Sequence, residues 1–112
     1  MAERRWTLEA ARALLPDVRR RTERARAEAE AIFEERERCA PDSPDWRRAN
    51  ARSEAVIDRW RREMEALGLE VKGLWLVDFD SGAGFYCWRW PETELAFFHG
   101  YDDGFAGRVP IQ

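Results

Sequence analysis

The chain is poor in the residues that most often carry chemistry. Its 112 residues include one His (His99), one Lys (Lys72) and two Cys (Cys39 and Cys87). The cysteines lie far apart, with no CxxC pair and no zinc-finger Cys/His spacing. That excludes a cysteine-built structural metal site and favours two reduced thiols over a disulfide framework. No stretch approaches the ~20 consecutive apolar residues needed to cross a bilayer. The opening MAERRWTLEAARALL has no apolar leader, so the sequence reads as cytoplasmic, with no membrane partner. HExxH and calcium-loop spacings are missing. SGAG at 81–84 leads into a strand pattern rather than a helix, so there is no phosphate-binding glycine loop. No cofactor is expected on these grounds.

Clustered positive charge is also missing where it would matter. Residues 1–67 carry 16 Arg against 15 acids, a net +1. Residues 68–112 carry Lys72, Arg89 and Arg108 against seven acids, a net −4. Binding along a phosphate backbone needs a basic face, so the acidic second half excludes a nucleic-acid partner there. What the chain does have is 45% hydrophobic and 37% charged residues, enough for a single globular domain with one modest core, 1–112. The aromatic residues crowd into residues 74–108, which hold three of the six Trp, five of the six Phe, both Tyr and His99.

The first half is helical. Thr7 is a good N-cap. Pro16 cannot donate to the Arg12 carbonyl, which predicts a kink, or the end of a short helix and a new start. Leu8, Ala11, Leu15, Val18, Thr22, Ala25, Ala29, Ile32, Arg36 and Cys39 are spaced three and four apart, the rhythm of a heptad seam. PDSP at 41–44 is a turn in which Ser43 caps a second helix and Pro44 opens it. Along that helix Trp46, Ala49, Ser53, Val56, Trp60 and Leu67 repeat the rhythm, widened by Ile57 and Met64. Gly68 is a left-handed stop and Leu69 folds back over it. Two helices of ~23 residues, each ~35 Å long, joined by so short a link form an antiparallel hairpin, with coiled-coil-like packing, over residues 1–67.

From Gly68 the period changes to two. Strands are predicted at 74–79, 85–90 and 94–99, in an antiparallel meander, followed by an irregular tail. The fold class is therefore α+β: a long hairpin kinked at Pro16, then a three-stranded sheet in residues 68–112. The simplest registers set Phe79 opposite Phe85 and Trp90 opposite Glu94. One face then holds Trp75, Val77, Phe79, Phe85, Cys87, Arg89, Leu95, Phe97 and His99. The other holds Leu74, Leu76, Asp78, Tyr86, Trp88, Trp90, Glu94, Ala96 and Phe98. Neither face is polar, and one hairpin covers one face only. Helices longer than the sheet and a second apolar face favour a homodimer, with the tail from Tyr101 as the other candidate cover.

Several stretches resemble the uncharacterised bacterial family catalogued as domain of unknown function 2203 (DUF2203). They are TLEAARALLPDVR at 7–19, LVDF at 76–79, CWR at 87–89, ELAFFH at 94–99 and GFAGRVPI at 104–111. The resemblance spans nearly the whole chain and implies the two-helix-plus-sheet architecture; it implies no reaction. The order of helices and meander is also loosely similar to RelE-type ribonuclease toxins, but the acidic sheet half lacks their basic face.

His99 is the one residue whose unperturbed side chain titrates near neutrality. It falls at a strand end on the face of Arg89 and Cys87, with Asp102 and Asp103 just beyond. It reads as a hydrogen-bonded structural residue, or as a base or metal ligand. His99, Asp102 and Asp103, with Cys87 and Asp78, are the potential metal ligands, though no recognised spacing joins them. Cys87, mid-strand among aromatics, should be inert. In GFAGR at 104–108, Phe105 should plug an apolar pocket and Arg108 should pair with Asp78 or Glu94; otherwise Arg89 and Arg108 clamp an anion. Trp88, with Tyr86, Trp90 and Phe98, is core, interface or ligand platform. Two functional readings follow. One is a non-enzymatic homodimeric binding or scaffold module with an aromatic sheet surface. The other is a small-ligand- or metal-binding protein centred on His99, Arg89, Arg108, Trp88 and Asp102, with a protein or small-molecule partner.

Overall fold

The computed structural model describes residues 5–112. Residues 1–4, part of the stretch read as free of a leader, lie outside the described residues. The fold is α+β. Helix α1 spans Leu8–Glu37 and α2 spans Pro44–Ala66. The strands are β1 (Glu70–Gly73), β2 (Leu76–Asp80), β3 (Phe85–Arg89), β4 (Phe97–His99) and β5 (Val109–Pro110). They lie side by side in chain order, every neighbouring pair antiparallel.

The helix signals act where the sequence puts them. The Thr7 hydroxyl accepts the Ala10 N–H at 3.0 Å, and the Ser43 hydroxyl accepts that of Trp46 at 3.1 Å. Each satisfies an otherwise orphaned first-turn donor. Pro16 sits inside one continuous helix rather than between two. Gly68, at φ 92°, ends α2: its N–H reaches the Glu65 carbonyl at 2.9 Å, and the Leu69 N–H reaches that of Met64 at 3.0 Å. These are the two bonds of a Schellman stop, and Leu69 is buried beside it.

The seam is also as read. Ala11, Leu15, Val18, Thr22, Ala25, Ala29 and Ile32 of α1 are buried, as are Ala49, Ser53, Val56, Trp60 and Met64 of α2. Arg36 and Cys39 are only half-buried at the far end. Trp60 donates its indole N–H to the Thr22 hydroxyl at 2.8 Å, so both polar atoms at this buried crossing are satisfied. Small side chains close the outer half of the hairpin on itself. Among the described residues the exposed large apolar side chains are Leu74, Tyr101, Phe105 and Val109, none of them on α1 or α2.

The sheet departs from expectation in strand number and in one register. It has five strands, not three. Leu74 and Trp75 form the turn between β1 and β2, with Trp75 at φ 59°, instead of opening a strand. Residues 94–96 stay out of the ladder with β3: the Arg12 guanidinium donates twice to the Leu95 carbonyl, at 3.1 and 3.3 Å, and the Ile111 N–H of the tail donates to the Ala96 carbonyl at 2.8 Å. The tail supplies β5 instead, with Val109 opposite Phe98.

Between β3 and β4 the pairing is the expected one, with Phe85 opposite His99 and Cys87 opposite Phe97. Between β2 and β3 it is one residue off: Asp80, not Phe79, faces Phe85, and Val77 faces Trp88. The turn chemistry explains the slip. The Asp80 carboxylate accepts the Gly82 N–H at 2.9 Å. The Ser81 N–H and hydroxyl both donate to the Gly84 carbonyl at 2.8 Å. Asp80 thus closes the turn while still in the strand. Gly84, at φ 154°, has no side chain where a Cβ would lie 2.7 Å from the His99 carbonyl. That absence lets β4 approach.

A one-residue slip turns a strand's side chains to the opposite face. Val77, Phe79 and Trp88 therefore share the inner face and pack on the helices with Leu95, Leu15 and Val18. Asp78, Phe85, Cys87, Phe97 and His99 share the outer face. Replacing Trp88, fully buried in a single chain, with Ala should cost ~3–5 kcal/mol in denaturant unfolding. A loss under about 1 kcal/mol would contradict its core position.

Candidate functional site

The register slip brings a carboxylate to the face that holds the only imidazole. Asp78 pairs directly with Cys87 across β2–β3, and His99 stands on β4, the next strand over. Asp78 and Cys87 are each 1% exposed and His99 is 5% exposed. They lie at a cavity of about 360 Å³ whose walls include Lys72 and Leu76 and whose roof is Tyr101, Asp102, Asp103, Gly104 and Phe105.

Both imidazole nitrogens are engaged. Nδ1 is 2.9 Å from the Gly100 carbonyl oxygen and Nε2 is 2.9 Å from Asp78 Oδ2. A carbonyl only accepts, so Nδ1 carries hydrogen. A second proton must then lie between Nε2 and Oδ2, on the imidazole or on the carboxyl, since two lone pairs would otherwise face each other. Asp78 Oδ1 is buried with no N–H or O–H donor on it, and the Cys87 thiol is the polar group that faces the carboxyl. Burial raises the Asp78 carboxyl above its ordinary value, against the lowering influence of the neighbouring Cys87 thiol, His99 and Lys72. Lys72 Nζ stands 3.9 Å from Asp78 Oδ2 and 3.3 Å from Glu70. The Cys87 thiol is pushed up to about 12, first by burial and then by the Asp78 charge, with Arg108 acting in the opposite direction.

Asp78, His99 and Cys87 are the residue types of a nucleophilic triad, yet the geometry is wrong for one. A base must bond the nucleophile through one ring nitrogen and its orienting acid through the other. Here the second nitrogen faces the Gly100 carbonyl, so the imidazole does not serve Cys87 as a base, and burial keeps the sulfur a thiol.

The other sequence candidates divide. Arg108 lies over the outer face and pairs with Glu92 through both guanidinium nitrogens, at 2.9 and 3.2 Å. Glu92, from the link after β3, takes the place expected of Asp78 or Glu94. The Arg108 guanidinium also stacks 4.1 Å from the centroids of Phe97 and Phe105 and reaches within 3.9 Å of the Cys87 sulfur. Arg89 lies over Phe105 at 5.4 Å. Phe105 is thus held between two guanidiniums and remains 38% exposed, rather than plugging an apolar pocket. Because its charge is met by Glu92, Arg108 fastens the tail and leaves no open anion clamp with Arg89. Trp88 is on the inner face, its indole N–H donating to the Glu92 carbonyl at 2.8 Å, and it does not reach the cavity. Asp102 and Asp103 line the cavity but are exposed, and Asp103 Oδ2 accepts the Gly100 N–H at 3.2 Å to close a turn. A second cavity, of about 510 Å³ beside Pro16 and Thr93, includes Arg12 and Arg19, each already donating to a backbone carbonyl.

The sequence names Asp78 among the potential metal ligands with His99 and Cys87, but the expected register puts it on the opposite face from them, which the observed register corrects. The signal was present in DSGAG at 80–84, where Asp80 is a turn-opening residue.

A two-helix hairpin backing a five-stranded meander, with a buried Asp/Cys/His cluster under its tail, is the class of molecule defined here. The chain matches the family described as uncharacterized conserved protein, DUF2203, over residues 4–111, and belongs to that family. No curated protein and no solved structure matches it significantly.

Because the folded chain keeps the Cys87 proton after the unfolded chain has lost it, stability falls as pH rises from about 9 through about 12. Cys87→Ser should flatten that decline in alkaline denaturation curves. An identical slope in the variant would contradict the buried thiol.

Proposed function

We propose that the protein is a small-ligand-binding protein whose ligand sits in the cavity between the outer sheet face and residues 100–108. The observation that carries this reading is the buried Asp78 carboxyl at the cavity beside His99 and Cys87, with no N–H or O–H donor on its Oδ1. Burying a carboxylate without satisfying it costs several kcal/mol unless something else repays the cost. A ligand that reaches the Asp78 carboxyl from the cavity does so. Asp78, Asp102 and Asp103 outnumber Lys72 around the cavity, so the site favours a cation. The lack of a base for Cys87 favours binding over covalent turnover.

The scaffold reading, a homodimer joined through the aromatic sheet, drew its force from a bare second face. Trp88 is buried against the chain's own helices, and Cys87 and His99 of the outer face are buried at the cavity that the tail lines. Both coverings come from one chain, which supports the ligand-binding reading over the scaffold one.

Native mass spectrometry of the purified protein tests the binding reading. The expected spectrum shows an added mass that is lost on denaturation and absent from an Asp78→Asn, His99→Gln double variant. A bare chain in every charge state would overturn it. The same spectrum reports copy number, as one or two chains of 13.2 kDa.

A further inference from the structure

We propose that the ligand is a divalent transition-metal cation of the zinc type, held by the Asp78 carboxylate, the Cys87 sulfur and His99 Nε2, with one coordination position open to the cavity. This deepens the binding reading and rests on it.

The first argument is placement. One ligand atom from each of the three residues lies within 4.8 Å of the others, and all three residues are buried. Zinc bonds of about 2.0–2.3 Å put the ligands of a tetrahedral site roughly 3.3–3.8 Å apart. The 2.9 Å between His99 Nε2 and Asp78 Oδ2 is already near that spacing, so about 1 Å of side-chain adjustment at most completes the set. Three adjacent strands carry the three residues, which makes the scaffold rigid.

The second argument is orientation. A metal-bound imidazole almost always donates its other ring N–H to a carboxylate or a backbone carbonyl. His99 makes that bond through Nδ1 to Gly100 and turns Nε2 toward Asp78, both residues lining the cavity. Gly100 is in turn fixed by Asp103, and a Cβ on Gly100 would lie 2.7 Å from the Asp103 carboxylate. The supporting bonds therefore exist without the ion.

Charge and softness supply the third argument. One sulfur, one imidazole nitrogen and one carboxylate suit zinc and its neighbours, whereas magnesium and calcium prefer oxygen alone. Binding exchanges the dication for about two protons, one from the Cys87 thiol and one from the Asp78–His99 contact. The buried cluster is then neutral before and after. Arg108, 3.9 Å from the Cys87 sulfur, stabilises the thiolate that forms. Lys72 is the one cation in the way; its half-exposed side chain already reaches Glu70 and can withdraw there. Asp102 and Asp103, exposed on the roof, attract the ion without holding it.

Cobalt(II) titration of chelator-treated full-length protein is the test. The expected result is one equivalent of Co²⁺ giving a thiolate-to-cobalt charge-transfer band and intense visible bands of tetrahedral geometry, all discharged by Zn²⁺. Cys39→Ser should keep the charge-transfer band and Cys87→Ser should lose it. Asp78→Asn and His99→Gln should each weaken binding by more than about tenfold, with circular dichroism confirming that the variants are folded. A band that survives in Cys87→Ser, or no band in the folded wild type, would overturn the proposal. An organic adduct in the native mass spectrum of a protein that refuses Co²⁺ would overturn the metal and leave the binding reading standing. A bare chain that also refuses Co²⁺ would overturn both.

Discussion

The pairing of Val77 with Trp88 across β2 and β3 is the constraint on which the rest of the structure depends. The ribbon from Leu74 to Arg108 is aromatic on both strand faces, so its composition alone does not say which side belongs to the core. Register says so. With Val77 beside Trp88, the inner face is Val77, Phe79 and Trp88, all buried against the helices. The outer face then collects Asp78, Cys87 and His99. A slip of one residue would put Asp78 among the helices and remove the only carboxylate buried beside the imidazole. The turn that fixes this register is built from Asp80, Ser81 and Gly84, so a surface turn decides the content of a buried site.

Glu92 ties the layers together. Its carbonyl accepts the indole N–H of Trp88 from the inner face and the guanidinium Nε of Arg19 from α1, the latter at 3.1 Å. Its carboxylate accepts the Arg89 N–H at 2.9 Å and pairs with Arg108 of the tail. Helix, sheet edge and roof thus meet at one residue. Bonds of this kind, between charged groups and backbone, are stronger than neutral ones and directional. They hold the tail over the outer face, where Phe105 alone, exposed and wedged between guanidiniums, would not.

The helical half was legible because its signals are local. Caps at Thr7 and Ser43, the glycine stop at Gly68 and the three/four seam each involve residues within a turn or two of one another, and the structure follows them closely. The β3–β4 register was legible too, since Phe85, Cys87, Phe97 and His99 alternate cleanly. The β2–β3 register was not. It turned on whether Asp80 belongs to the strand or to the loop, and both strands are apolar enough to satisfy either choice. The partner of Arg108 was hidden for a different reason: Glu92 sits in a link that only the folded path brings under the tail. At residues 94–96 the Leu95 carbonyl is taken by a long-range bond from Arg12, which no local pattern announces. His99, Cys87 and Asp78 were all recognisable as candidate ligands, whereas the register that brings Asp78 to the face of the other two required the fold.

The central claim is that Asp78 and His99 form a preorganised contact, with Nδ1 committed to backbone and Nε2 facing the cavity. Because the chain has a single histidine, nitrogen NMR of the imidazole reads that claim directly. The account predicts a protonated Nδ1 throughout, and an Nε2 resonance that alone moves when Zn²⁺ is added. A bare Nδ1, or an Nε2 indifferent to the ion, would contradict it.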